Sequence, residues 1–337
     1  MNLKPISQQV VTIMGASSGI GRDAALKFAE QGAKVVVSAR SQEGLATLVE
    51  AIYQQGGEAI AVPADTADFD QVKAVADKTV ERFGRIDTWV HAAATSVFAT
   101  FDRISPEEFK RVIDVNLTGQ AYGAMAALPH LKAAKGGSLI HITSMEARRS
   151  LPYQSPYSAS KHGTAGFLDA LRIELKHQGY NNINVANILP SVINTPFYNK
   201  GKTKLGVKPT GLPPYYNPSL VTDAILYAAE HPVRDYIVGD VGRLLDLAQR
   251  ISPSLVDAIL LAISFDGQRT SDEKGEEPNN LFEPMQGYDR VEGDFKQLEV
   301  PSVSDVITKH PAAMFSTIAL AALGGLSLLL SGASDKH

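Results

Sequence analysis

Val10-Val11-Thr12-Ile13-Met14-Gly15-Ala16-Ser17-Ser18-Gly19-Ile20-Gly21 decides the fold. Its first five residues are β-branched or apolar and end at a turn signal, which reads as a buried strand. The glycines then recur as G-x-x-x-G-x-G, and a helical pattern opens at residue 20. Glycines allow a tight turn and close backbone approach. The helix N-terminus adds free N–H groups and the positive end of its dipole, so the unit can cradle a pyrophosphate. Any tight strand-to-helix turn can call for glycine. The cofactor reading rests on context, because this turn joins the first strand to the first helix of an alternating chain. Gly15, Ser17, Ser18, Gly19, Ile20 and Gly21 are the candidate contacts.

The alternation continues outward. Residues 10–14, 34–38, 58–63, 86–91, 138–143 and 184–189 read as strands; 20–31, 44–55, 69–83, 106–131 and 157–178 read as helices. Strict alternation predicts an α/β, Rossmann-type doubly wound parallel sheet with helices on both faces. Strands buried on both sides explain continuous runs such as Val35-Val36-Val37. After Pro190 the pattern loosens. Residues 194–218 read as a loop or lid over a site, and helices resume at 220–230 and 255–263.

The second strand ends in Ser38-Ala39-Arg40. In an NAD site an acidic residue about 20 positions beyond the glycines bonds the ribose hydroxyls. Arg40 stands 19 after Gly21, and no Asp or Glu occurs between Lys34 and Gln42. A cation there attracts the 2′-phosphate of NADP(H), with Arg22 nearby to assist. The bland alternative for Arg40 is an ordinary solvated arginine.

Tyr157-Ser158-Ala159-Ser160-Lys161 opens a predicted helix, and its i, i+4 spacing puts Tyr157 and Lys161 on one face. An ammonium near a phenol favours phenolate, bringing the tyrosine closer to working pH. Ser144, at the end of a strand, faces the crevice where doubly wound sheets bind ligands, or else caps a turn. Taken in order, Gly15, Gly19, Gly21, Asn116, Ser144, Tyr157, Lys161, Asn187-Ile188-Leu189-Pro190 and Thr195-Pro196 resemble the short-chain dehydrogenase/reductase family over residues 8–240.

That resemblance implies roles. Tyr157 is the proton donor or acceptor, and Lys161 lowers its pKa and contacts the nicotinamide ribose. Ser144 orients the substrate oxygen, and Asn116 holds a relay water. Asp65 contacts adenine, Pro190, Ile193 and Thr195 line the nicotinamide end, and Ala92 follows the fourth strand beside the cofactor. The chain departs from the family pattern at Met14, His91-Ala92-Ala93-Ala94 and Ser191. These changes read as a joint shift from polar to packing contacts. His91 reads as structural because no second ligand lies nearby in sequence, so no metal is expected.

Bulk properties bound the rest. The 337 residues contain no cysteine, excluding disulfides and thiolate chemistry, and the net charge of −4 gives no reason to expect nucleic acid. Residues 266–300 hold ten acidic and four basic residues, leaving residues 1–265 at +2. The expected divisions are a catalytic domain (1–241), a helical extension (242–265), an acidic polar linker (266–311), whose residues 266–300 read as a linker or a surface wrap, and a charge-free stretch at 312–330. Its 19 residues match a short membrane-spanning helix, or an Ala-rich helix packed in the core or at an oligomer interface. Residues 1–9 lack the apolar core of a signal peptide, so a cytoplasmic catalytic domain is expected, anchored by 312–330. The expected partners are a hydrophobic carbonyl or alcohol substrate and a second copy of the chain. A dinucleotide-binding scaffold or redox sensor is the competing functional class.

Overall fold

The computed structural model describes residues 3–303. The chain divides into two units, residues 1–300 and 301–337, and the architecture below belongs to the first. The expected membrane or interface helix at 312–330 lies outside the described residues. Among those described, no helix is long and apolar enough to cross a membrane.

Seven parallel strands form the central sheet. They are β1 (Val10–Met14), β2 (Lys34–Ser38), β3 (Glu58–Ala61), β4 (Thr88–His91), β6 (Gly137–Ile142), β7 (Ile183–Pro190) and β10 (Asp235–Val238). Short pairs lie outside it: β5 (Val97–Phe98) with β8 (Lys202–Thr203), and β9 (Val207–Pro209) with β11 (Arg269–Glu273). The sheet order is β3-β2-β1-β4-β6-β7-β10. From β1 the chain winds one way through β2 and β3, then crosses back to β4 and winds the other way. The crevice at that reversal, outside the carboxyl ends of β1 and β4, is where such sheets bind ligands.

Both faces of the sheet are covered, as the apolar strands require. Side chains alternate along a strand, so Val11, Ile13, Val35 and Val37 pack on α1 (Gly19–Glu30), α2 (Gln42–Gln54) and α8 (Pro218–Glu230). On the opposite face Met14, Val36, Trp89 and Leu139 pack on α3 (Phe69–Phe83), α5 (Gly119–Ala133) and α6 (Ser155–His177). The expected α/β doubly wound architecture is the one observed.

One expected helix is broken. Residues 106–131 form α4 (Pro106–Ile113), a π-helical turn over Asp114–Thr118, and then α5. The wider turn buries Asn116 completely, and its amide bonds both main-chain groups of Thr95 (Thr95 N to Oδ1 2.9 Å; Nδ2 to Thr95 O 2.8 Å). Composition does not register this break, because a π turn uses the same residues as the helix around it.

The lid region contains α7 (Phe197–Lys200), and beyond β10 come α9 (Asp240–Ile251) and α10 (Pro253–Gly267). Residues 268–300, expected as part of a polar linker, are built into the molecule. β11 pairs with β9, Leu281 is wholly buried, and the Phe295 ring stacks on Tyr215 at 4.7 Å.

Gly123 on α5 tests this packing. Alanine in a helix interior normally gains about 1 kcal/mol over glycine. Here the added Cβ would lie 2.4 Å from His91 Nδ1 and 2.8 Å from Trp89 Nε1, both on fully buried side chains. Gly123→Ala is therefore expected to lose about 1–3 kcal/mol in urea unfolding; a gain would contradict the packing of α5 on β4.

Candidate active site

The site begins at the turn from β1 into α1. Gly15 and Ala16 both donate to the Ser38 carbonyl (2.7 and 3.0 Å), tying the turn to the end of β2. Gly15 has φ +82°, and a Cβ there would lie 2.4 Å from Ala93 N. A Cβ on Gly21 would lie 2.4 Å from the Gly15 carbonyl. The glycines are thus required by close main-chain packing as well as by the groove they leave open.

A cavity of about 500 Å³ runs from this turn along the carboxyl ends of the strands. Gly15, Ser17, Ser18, Gly19, Ile20 and Gly21 line it at one end, with Arg40 and Asp65 beside them. Ala92, Pro190, Ile193 and Thr195 line its middle. A helix N-terminus, a cradle closed to side chains and an elongated cavity suit a dinucleotide.

Ser144, Tyr157 and Lys161 meet in the cavity wall. Ser144 follows β6 in extended conformation, and its hydroxyl bonds the Tyr157 phenol and accepts from Glu146 N (3.1 Å). Tyr157 and Lys161 lie one turn apart on α6, with Lys161 Nζ 5.3 Å from the phenol ring centre. Lys161 donates to the Ile142 carbonyl (2.9 Å). Asn116 lies behind this group, and its carbonyl accepts from Thr164 Oγ1 (3.2 Å).

The electrostatics differ from the expectation. Burial raises the Tyr157 pKa above its ordinary value, and the Glu146 charge adds to this while the Ser144 hydrogen bond opposes it. Lys161 lies over the ring face rather than at the hydroxyl, and its own pKa falls to about 7 through burial, against the attraction of Glu146. Glu146 was not singled out in the sequence. It is buried in the cavity wall, accepts from Ser158 Oγ (2.5 Å), and is raised by burial to about 8.

Arg40 and Asp65 are both at the groove but already engaged. Arg40 donates to the carbonyls of Asn280 (2.5 Å) and Phe282 (2.6 Å). The Asp65 carboxylate pairs with Arg111 (2.6 Å). Arg22 does not assist; its guanidinium bonds the Gly44 carbonyl (3.0 Å) and Thr47 Oγ1 (3.2 Å), holding α1 to α2. Lys200, also missed in the sequence, reaches from α7 to Ser18 Oγ (2.5 Å) and lines the cavity. Burial lowers its ammonium to about 8, with Asp289 opposing and Arg40 adding to the shift. His91 is a strand-end histidine bonded to Thr66 (Nε2 to Oγ1 3.0 Å) and held neutral by burial.

The far end of the cavity is apolar, formed by Leu212, Leu245, Val256, Leu260 and Ile263. It accepts hydrocarbon with little competition from polar groups.

The Glu146 shift has a measurable consequence. Its carboxyl titrates near 8 in the folded chain against an ordinary 4.5, so its stabilising share is complete below 4.5 and declines as pH rises toward 8. Lys161, depressed from 10.5 to about 7, varies mainly above that window. Between pH 5 and 7 the wild type should therefore lose unfolding free energy relative to Glu146→Gln, as read by urea unfolding. Parallel curves would refute the assignment.

Comparison with known proteins agrees with this geometry. The family model for short chain dehydrogenase matches residues 9–205. An uncharacterized oxidoreductase, YxnA, from Bacillus subtilis is 35% identical over 292 residues, covering 86% of this chain and 80% of its own. A 3-oxoacyl-[acyl-carrier-protein] reductase from Synechocystis is 34% identical over 69% of this chain and 94% of its own. Among solved structures, an alcohol dehydrogenase from Thermococcus sibiricus complexed with 5-hydroxy-NADP has a TM-score of 0.60. It is 26% identical and covers 68% of this chain and 95% of its own. A short chain dehydrogenase from Mycobacterium paratuberculosis bound to NAD has the same score and identity, covering 68% of this chain and 96% of its own. With its sheet order, its glycine turn and its Ser144, Tyr157 and Lys161 in one wall, the chain belongs to the short-chain dehydrogenase/reductase family of oxidoreductases.

Proposed function

We propose that the chain is an NADP(H)-dependent oxidoreductase interconverting a carbonyl and an alcohol, working as a reductase on a hydrophobic substrate. The observation that carries this is the convergence of Ser144, Tyr157 and Lys161 between the glycine turn and the apolar end of one cavity. A bound nicotinamide cofactor supplies or takes up hydride, the chemistry no side chain here provides. The glycine turn, Thr195 and the wall around Pro190 and Ile193 would hold it.

Each residue then has a task. Ser144 points its hydroxyl at the oxygen of the reacting carbonyl and orients it. Tyr157 gives that oxygen its proton; burial keeps the phenol protonated at neutral pH, the form needed for reduction. Lys161 places a titratable ammonium beside Tyr157 and within the groove for the ribose. Asn116 acts through position. Its side-chain amide is spent on Thr95, so a relay water would be held by its main-chain carbonyl, which also accepts from Thr164 Oγ1. The Leu245, Val256 and Leu260 wall favours a substrate with a hydrocarbon body. NADP(H) is preferred to NAD(H) because Arg40 lies just beyond β2, where an acidic ribose ligand would otherwise stand.

Tyr157→Phe should lower kcat by about 10²–10⁴-fold with aldehydes or ketones while leaving dinucleotide binding in place. Binding with turnover independent of Tyr157 would favour the scaffold or sensor reading instead. Arg40→Ala should raise KM for NADPH far more than for NADH, and equal effects would remove the preference for the phosphorylated cofactor.

A further inference from the structure

The cavity has a wall that lies outside the residues matched by the family model. Asn280, Pro284 and Met285 line it together with Gly15, Ser18 and Arg40. The segment that supplies them is fixed at both ends. Upstream, β11 pairs with β9 through Arg269 with Pro209 and Glu273 with Val207. Downstream, Gly293 N donates to the Asn194 carbonyl (3.1 Å) and Phe295 stacks on Tyr215.

Between these posts the chain crosses the groove on a short series of tethers. Asn280 N donates to the Lys200 carbonyl (2.9 Å), and Thr95 Oγ1 donates to Asn280 Oδ1 (3.1 Å). Arg40 holds the carbonyls of residues 280 and 282, and Arg111 Nε donates to that of Leu281 (3.0 Å). Gly19 N, at the N-terminus of α1, donates to the Arg290 carbonyl (2.9 Å). Leu281 plugs the crossing, fully buried with Val97, Val112 and Tyr157.

We propose that residues 280–290 are part of the cofactor site, a roof over its adenosine and phosphate half, and that the dinucleotide enters and leaves only when this roof lifts. The inference rests on the dinucleotide reading above but not on which dinucleotide is bound. The roof is held by two main-chain hydrogen bonds, at Asn280 and Arg290, by side chains reaching its oxygens and by one apolar plug, whereas both posts belong to paired or stacked structure. Segments held this way open locally while their surroundings stay folded, and lids of this kind commonly set the rate of product release. Arg40 thus holds the roof closed at the position where a 2′-phosphate would also be read.

The absence of native cysteine allows a clean test. A Cβ built on Gly44 lies 3.0 Å from Asp289 Cγ, so Gly44→Cys with Asp289→Cys places one cysteine pair within reach of a disulfide that locks the roof to α2. Leu281→Ala withdraws the plug without any cross-link. Both are made in the full chain, and dissociation of NADPH and of NADH is followed by stopped-flow fluorescence. The oxidised pair should slow dissociation by roughly tenfold or more and recover with dithiothreitol, because closure then gates exit. Leu281→Ala should speed it by roughly tenfold, as loss of a buried leucine weakens the closed roof. A wild-type rate in Leu281→Ala that remains folded by thermal melting overturns the roof, whether or not the cross-link forms. If the wild type binds neither dinucleotide, the functional reading falls and the roof with it.

Discussion

At the turn from β1 into α1 three pieces of main chain meet with no room for a side chain. The Cβ positions of Gly15 and Gly21 fall 2.4 Å from Ala93 N and the Gly15 carbonyl respectively. This contact brings the ends of β1 and β4 together where the sheet reverses direction, and so fixes the position of the crevice. Everything that follows β4 is placed relative to it. Thr95, just beyond that end, is the partner that holds Asn116 within the π turn between α4 and α5. The departure from the family pattern at Met14 and His91 keeps the contact while changing its chemistry. Met14 packs into the core below the sheet, and His91 turns to Thr66.

The crevice is then filled with ionisable groups that its burial disfavours. Glu146, Tyr157 and Lys161 lie in one wall, and burial moves each toward its neutral form. Desolvation outweighs mutual attraction here: among the described residues Lys161 forms no ion pair with a carboxylate, and its ammonium meets the Ile142 carbonyl instead. The result is a phenol held in its protonated form beside a lysine whose ammonium titrates near 7. Ser158 holds Glu146 at a fixed distance from this pair, so the Ser158 hydroxyl helps to set their electrostatic background.

Much of this was legible in the sequence. The strand–helix alternation and the all-apolar strands imply a sheet covered on both faces, and the ordered motif residues locate Ser144, Tyr157 and Lys161 without coordinates. What escaped depends on contacts between distant segments. Arg40 stands at the fingerprint position, but its engagement by Asn280 and Phe282 spans 240 or more residues and leaves no local pattern. Lys200 reads as a loop lysine until the fold brings it to Ser18. Glu146 reads as a surface acid beside Arg148 and Arg149, and only the packing of α6 over the turn after β6 buries it. The acidic composition of 266–300 suggests a linker or a surface wrap and does not single out its anchors, because charge counts average over the few residues, such as Leu281 and Phe295, that hold it.

The anchored acidic segment changes how the domain should be divided. The family match ends at residue 205, yet the cavity continues against residues 280, 284 and 285. Leu281 shares a cluster with Tyr157, and Arg40 ties the same segment to the end of β2. One crossing therefore touches both Tyr157 and the end of the groove at the glycine turn. A chain cut after β10 would keep the strands of the parallel sheet and lose this wall together with the apolar end supplied by α9 and α10. The compact unit accordingly runs to residue 300, with the sheet as its frame and the crossing segment as one wall of its cavity.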